Sequence, residues 1–503
     1  VKKSPLNAMT ALSLAMAALS AISMPPVQAA EAAGTMLKAP PQVELPAPII
    51  TGHQGVFNGR KLDYSAVVER FDTTMADGGP AARLVAISYI MRSAGKKVDG
   101  ASRPVVFAFN GGPISSSSTL HVGALGPKRV AVPDDIQASP STFRMVDNPN
   151  ALLDVADLVF FDPAGTGFSR FAPGVDPKSQ ASNVTDSRQL AQMILQWRKA
   201  HGREGAPIYL LGESYGTMRA PEAAGQLLEQ GVAVDGIILL GQAVNIIEYA
   251  QRPANLISYA ASLPTLAAIA WELGKADVRG RTFDAFVADA RDFAAADYLS
   301  TLYLGGAAPM DRQRVVAAKL AEFTGVPADW YLANRLRISK VDYQQKIRPG
   351  FVLNTNDARY AKPVGGADPF DSVMNAYVTN FKTYLANDLE AGTIGDYLSY
   401  FQFPGGLNGW DWGVNKSPFG DWPYQKPISA LMERNPRFRL LVGNGWTDTQ
   451  TTVGAMELLV NEAQWPKDRV RTATYRGGHI SYTIDASQKA FADDVRAMIR
   501  RDW

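Results

Sequence analysis

Residues 208–211 (Ile-Tyr-Leu-Leu) run straight into Gly212-Glu213-Ser214-Tyr215-Gly216, and 217–228 then reads as one helix. No other feature of the 503 residues constrains the fold as much. A serine between two glycines at the end of a short apolar strand fits a sharp strand-to-helix turn, where the chain is too crowded for side-chain bulk at the flanks. Such a turn needs a buried sheet around it. Short apolar segments at 104–109, 158–161 and 236–240 supply candidate strands, with 83–91 before them and 438–442 and 470–475 after. Helical spacing appears between them. Leu190, Met193, Ile194 and Trp197 share a stripe in 186–198, and Phe491, Val495 and Met498 share one in 486–499. Strands of this kind alternating with helices predict a mostly parallel sheet covered on both faces.

The rhythm stops between 241 and 427. That tract reads as helices (263–273, 283–299, 311–323, 371–389) and loops, and strands resume only at 438. The expected organisation is a core at 52–240, one cap insertion at 241–427 and the rest of the core at 428–503. Asn58-Gly59 predicts a hairpin in a small antiparallel region at the start of the core. Ahead of it, 30–51 reads as a flexible leader rich in Ala and Pro. Lys2 and Lys3 precede an apolar stretch at 8–24 and then Pro25-Pro26-Val27-Gln28-Ala29-Ala30, the layout of a secretory signal cut after Ala29 or Ala30. An uncleaved anchor is the competing reading. No later stretch reaches 18 consecutive apolar residues, so no membrane span is expected after cleavage. With no cysteine in the chain, export to a bacterial envelope compartment, periplasmic or extracellular, is the expected location.

Several chemistries are disfavoured by composition. Fifty Lys and Arg against 48 Asp and Glu, with no strong basic run, argue against a nucleic-acid partner. Zero cysteines remove disulfides, a thiol nucleophile and Cys-ligated metals. No H-E-x-x-H occurs and no G-x-G-x-x-G follows the first strand, so neither a metal nor another cofactor is expected.

A serine hydroxyl needs a base. Of His53, His121, His201 and His479, only His479 follows Ser214, and the chain order in sheets of this type is Ser, then Asp or Glu, then His. Asp448 lies between them, in a turn-rich loop after the 438–442 strand, where it can fix the imidazole tautomer. An Asx turn or a helix cap before 449–459 is its competing role, and Glu457 and Glu462 are poorer candidates. Asn110-Gly111-Gly112-Pro113 follows the 104–109 strand, and its paired glycines let backbone N–H groups converge on a substrate oxygen beside the N–H of Tyr215. Phe401, Phe403, Trp410, Trp412, Phe419, Trp422 and Tyr424 form an aromatic-rich tract, readable equally as a pocket lining or as plain packing.

These blocks resemble the serine carboxypeptidases, peptidase family S10, and more closely its bacterial exported members. The resemblance rests on Asn110-Gly111-Gly112-Pro113 with 115–118, Leu125-Gly126-Pro127, Asp162-Pro163-Ala164-Gly165-Thr166-Gly167-Phe168-Ser169, Gly212-Glu213-Ser214-Tyr215-Gly216, Asp448 and Gly477-Gly478-His479. It implies an α/β-hydrolase fold and release of a C-terminal amino acid from a peptide through an acyl-enzyme. Ser214 would be the nucleophile, His479 the base and Asp448 its orienting acid. Gly112 and Tyr215 would form the oxyanion hole. Asn110 and a protonated Glu213 would bind the substrate's terminal carboxylate, which requires a raised pKa. Three departures stand out: Ile114 replaces a glycine, the cysteine that often follows is missing, and Ala124 stands where the family usually has a second carboxylic acid. The same triad also serves an esterase, amidase or acyltransferase acting on a small acyl substrate.

Overall fold

Alternation along single strands divides the interior in two. On Val105–Phe109, residues 105, 107 and 109 join a cluster containing Leu190, Trp197 and Met218, whereas Val106 and Ala108 join another containing Leu152, Phe491 and Val495. This is the signature of strands buried on both faces. The computed structural model describes residues 40–92, 102–244, 251–403, 405–413 and 425–503.

The strands of the main sheet are β1 (Ile49–Phe57), β2 (Arg60–Thr74), β3 (Pro80–Met91), β4 (Val105–Phe109), β5 (Asp157–Phe161), β6 (Ile208–Glu213), β7 (Gly236–Leu240), β8 (Arg439–Gly445) and β9 (Val470–Tyr475). They lie in the order β1-β2-β3-β5-β4-β6-β7-β8-β9, and a two-residue strand at Arg170–Phe171 pairs with β3. From β5 to β9 all pairing is parallel, and β1, β2 and β3 pair antiparallel. This is an α/β-hydrolase fold. The helices α1 (Asn183–Ala200), α2 (Gly216–Glu229), α7 (Gln425–Arg434), α8 (Val453–Ala463) and α9 (Asp485–Arg500) accompany the sheet. Parallel crossovers bring the C-terminal ends of β4, β6, β7, β8 and β9 to one edge, where such folds place their ligands.

Two expectations at the amino end need correction. Residues 1–39, with the signal reading and the first part of the leader, lie outside the described residues. Of the rest of the expected leader, Val43 and Leu45 are buried, the Glu44 N–H donates to the Ile394 carbonyl and β1 begins at Ile49. Val43 and Leu45 are isolated apolar residues among prolines, too sparse to show a period. The hairpin at Asn58-Gly59 forms, with both residues at positive φ, but its strands of 9 and 15 residues extend the main sheet and are no separate region.

Between β7 and β8 stand α3 (Leu256–Glu272), α4 (Phe283–Phe293), α5 (Met310–Thr324) and α6 (Phe370–Asn387), with a small hairpin of Phe351–Leu353 and Ala361–Pro363. This tract is no detached lid. Leu263, Leu266, Phe286 and Tyr343 join the core on one face of the sheet, and Phe370, Tyr377 and Phe381 join the core on the other. The expected boundary at 427 falls inside α7, whose Pro427 lies against Gly225 of α2. Residues Ala39–Trp503 form one compact unit.

Candidate active site

At the end of β6 the backbone turns through Ser214 at φ 57°, a left-handed conformation costing a non-glycine residue roughly 1–3 kcal/mol. The turn is held from several sides. The Ser214 N–H donates to the Leu240 carbonyl at 2.9 Å, and its own carbonyl accepts from the Thr217 N–H and hydroxyl at 2.9 and 2.6 Å. A Cβ at Gly212 would collide with the Gly216 carbonyl, and one at Gly216 would stand 3.0 Å from the Phe109 carbonyl. One at Gly111 would lie 2.5 Å from both Ser214 Cβ and the Tyr215 nitrogen. The glycines at 111, 212 and 216 therefore let the β4 loop press against the serine turn.

Asp448 and His479 meet at the ends of β8 and β9. Asp448 is fully buried and its Oδ2 lies 2.6 Å from His479 Nδ1. The same Oδ2 accepts from the Thr451 hydroxyl at 2.8 Å, while Oδ1 accepts from the backbone N–H groups of Gln450 and Thr451 at 2.7 and 3.1 Å. One carboxylate thus fills both roles read from the sequence, turn-former and histidine partner; α8 is capped separately by Thr452. Burial pulls the His479 imidazole down, but the charge and hydrogen bond of Asp448, with Glu213 adding to them, leave it raised above 6.5. Its ring lies beside Gly241, whose missing Cβ would stand 2.9 Å from Cε1. Gly241 follows Leu240, the residue that holds Ser214.

Glu213 is buried, and its Oε1 accepts from Asn110 Nδ2 at 2.8 Å. Asn110 is fixed in turn, with Oδ1 accepting from the Leu120 N–H at 2.9 Å. Among the described residues Glu213 Oε2 has no hydrogen-bond partner, although the Tyr482 hydroxyl is near enough to the carboxyl to act on its proton. Burial pushes the carboxyl up to about 7 against the opposing pull of His479, Tyr482 and Asn110. Ala124 is fully buried and carries no acid of its own.

A buried ion pair absent from the sequence reading locks the 110–113 loop to the serine turn. Arg219, on α2, donates to Asp186 Oδ2 at 2.7 Å and to the Asn110 and Pro113 carbonyls at 2.8 and 3.1 Å, and the Tyr215 hydroxyl donates to Asp186 at 3.0 Å. In the sequence, Arg219 shows only as an arginine next to the small and apolar residues Met218, Ala220, Ala223, Ala224 and Leu227.

The aromatic tract resolves toward packing. Phe401, Phe403, Trp410 and Trp412 are all buried, and both tryptophans meet the Tyr215 ring edge-on; Phe419, Trp422 and Tyr424 lie outside the described residues. The other histidines stand apart, His53 with Thr51, His121 with Tyr89 and His201 with Glu69. Glu457 is paired with Arg291 at 2.7 Å. Among the described residues no group of three or more acidic or histidine side chains could hold a metal, and no helix is long and apolar enough to cross a membrane.

The serine carboxypeptidase family model, Peptidase S10, matches residues 88–246, less than half of the chain but including Asn110, Gly112, Glu213, Ser214 and Tyr215. Over that stretch the chain is similar to the Peptidase S10 family. Serine-type carboxypeptidase F of Aspergillus niger is 23% identical over 125 residues, or 24% of this chain and 23% of that protein. The alignment thus spans about a quarter of the relative's length. The fold is similar to that of Kex1(delta)p, a prohormone-processing carboxypeptidase from Saccharomyces cerevisiae, with a TM-score of 0.51 and 15% identity over 86% of this chain and 91% of that one. Both are fungal.

Proposed function

We propose that the chain is a serine-type carboxypeptidase that removes one C-terminal amino acid from a peptide. Ser214 Oγ attacks the last peptide carbonyl while His479 Nε2 takes its proton, and Asp448 holds the Nδ1–H side of the ring. The N–H groups of Gly112 and Tyr215 receive the oxyanion. Collapse of the tetrahedral adduct breaks the C–N bond, and His479 returns the proton to the departing amine. Water, deprotonated by the same histidine, then splits the acyl-enzyme and regenerates Ser214. Asn110 and the protonated Glu213 receive the substrate's terminal carboxylate.

The buried Glu213 carries the choice of substrate. A carboxylic acid beside the nucleophile, pushed up to about 7 and oriented by Asn110, keeps the proton it needs to donate to an anion. Glu213 and His479 also act on each other's proton. The productive form, with Glu213 neutral and His479 neutral, has the same net charge as the form with Glu213 ionised and His479 protonated, so pH alone does not change their ratio. A bound carboxylate that needs Glu213 as donor selects the productive form. Activity on other acyl groups, as an esterase, amidase or acyltransferase, is the second reading, favoured by the missing acid at Ala124. Export by bacteria, in the periplasm or outside the cell, rests on the leader pattern and the absence of cysteine.

Time-resolved product analysis on matched free-acid and amidated peptides, beside simple esters, tests the proposal. Stepwise release from free-acid peptides, lost in Ser214→Ala together with fluorophosphonate labelling, is the expected result. Equal rates on free-acid and amidated peptides would transfer the site to the second reading.

A further inference from the structure

The backbone N–H of His479 is held by the insertion, donating at 2.6 Å to the Asn356 carbonyl. Gly478 is what admits that contact, because a Cβ there would collide with the Asn356 carbonyl and stand 2.5 Å from Asp357 Cα. A Cβ at Gly445 would collide with the Gly478 carbonyl in the same way. The end of β8, the loop of His479 and the 356–357 backbone therefore stack with no side chain between them.

The same turn grips both sides of Asp448. Thr447 donates its hydroxyl to Asp357 Oδ1 at 2.7 Å, and its carbonyl accepts from the Ala358 N–H at 3.0 Å. The Thr449 hydroxyl donates to the Thr355 carbonyl at 2.8 Å, and the Gln450 side-chain amide donates to Asn356 Oδ1. The turn is rigid in its own right. Asn354 Oδ1 accepts from the N–H groups of Asn356 and Asp357 at 2.8 and 2.9 Å, and Arg359 closes on Asp357 Oδ2 at 2.6 Å. A second strut runs from Arg476 to Glu272 at the end of α3, at 2.9 Å.

We propose that the 354–359 turn of the insertion positions the Asp448–His479 pair, with Thr447 and Asp357 as its positioning residues. The inference rests on reading that pair as acid and base. Gly477, at φ 103°, and Gly478 leave the chain ahead of His479 free of side-chain restraint. The Asn356 carbonyl supplies the restraint from the far side. Because Asp448 is flanked by residues bonded to the same turn, acid and base keep one spacing, and the insertion becomes part of the catalytic frame rather than a cover over it.

Thr447→Val keeps the side-chain shape and the Asp357–Arg359 pair but removes the hydroxyl. It should lower kcat by about 10- to 100-fold on ester and peptide alike, with KM unchanged, because a small misplacement of a catalytic group costs rate and not binding. The pH midpoint of kcat should move down as the Asp448 hydrogen bond to His479 loosens, and Thr447→Ser should restore both. In protein labelled with 15N-histidine, the His479 Nδ1–H resonance, assigned by its loss in His479→Gln, should shift in the valine variant and return with serine. Gln450→Ala tests the same turn through Asn356 if the valine variant fails to fold. A variant with a lower Tm but wild-type kcat, pH midpoint and resonance overturns the proposal. A wild-type protein inactive on every acyl substrate would instead remove the assigned function, while the resonance comparison would still decide the positioning role.

Discussion

Replacing Glu213 by Gln should make folding stability less dependent on pH by an amount the structure sets. The carboxyl rises from 4.5 to about 7 on folding, chiefly through burial. At 1.36 kcal/mol per pKa unit, the folded state is penalised by about 3 kcal/mol once the group is ionised. The sign follows from proton counts. Between 4.5 and about 7 the folded protein binds the proton that the unfolded chain has released, so this contribution to stability is complete below 4.5 and lost as pH rises through about 7. Glutamine stays neutral throughout. Its carbonyl can accept from Asn110, as Oε1 does, and its amide can donate toward Tyr482.

Urea unfolding of wild type and Glu213→Gln at pH 4.5 and at pH 8 measures the effect. Whatever fixed cost the substitution carries, the variant should gain about 3 kcal/mol on wild type between the two conditions. Comparing the two proteins at each pH cancels every titration they share, including most of that of His479, which is also raised and weakens the fold in the same direction as pH rises. Parallel pH profiles for the two proteins would refute the raised carboxyl, and with it the physical basis for a proton-bearing donor in the site.

Asp448 and His479 should fail as a unit: Asp448→Ala and His479→Ala should each lower kcat by roughly 10⁴-fold or more, and the double variant should be little worse than His479→Ala. Independent, additive losses would leave Asp448 as a turn-former only. Arg219→Met should cost about 3–5 kcal/mol in urea unfolding, because it strands the buried Asp186 and two loop carbonyls, and adding Asp186→Asn should recover part of that loss. A fully additive pair would show that the two side chains do not depend on each other.

The sheet could be read before the structure because its strands are short and buried on both faces, which writes each as an unbroken apolar run between glycines and helices. Ser214, Asp448 and His479 could be singled out because the roles proposed for them fix residue type and chain order. Long-range partnership leaves no such mark. Asp186 and Arg219 lie 33 positions apart, each reading locally as an ordinary polar residue on a helix, and only the packing of α1 against α2 makes them one buried pair. The 354–359 turn stands roughly 90 positions or more from the loops it holds, and four of its contacts use backbone groups that every residue carries.

Gly478 shows how the two kinds of information meet. In sequence, the paired glycines before His479 suggest freedom to aim the ring. In the fold, Gly478 serves the opposite end: without a side chain it admits the Asn356 carbonyl, and the loop is fixed there by a hydrogen bond to the next residue. Gly445 and Gly111 act likewise, one under the His479 loop and one under Ser214. Each marks a place where backbone must approach backbone, and together they join the Asp448 loop, the His479 loop and the serine turn to segments distant in the chain. The glycines of this site therefore carry its geometry as much as its charged residues carry its chemistry.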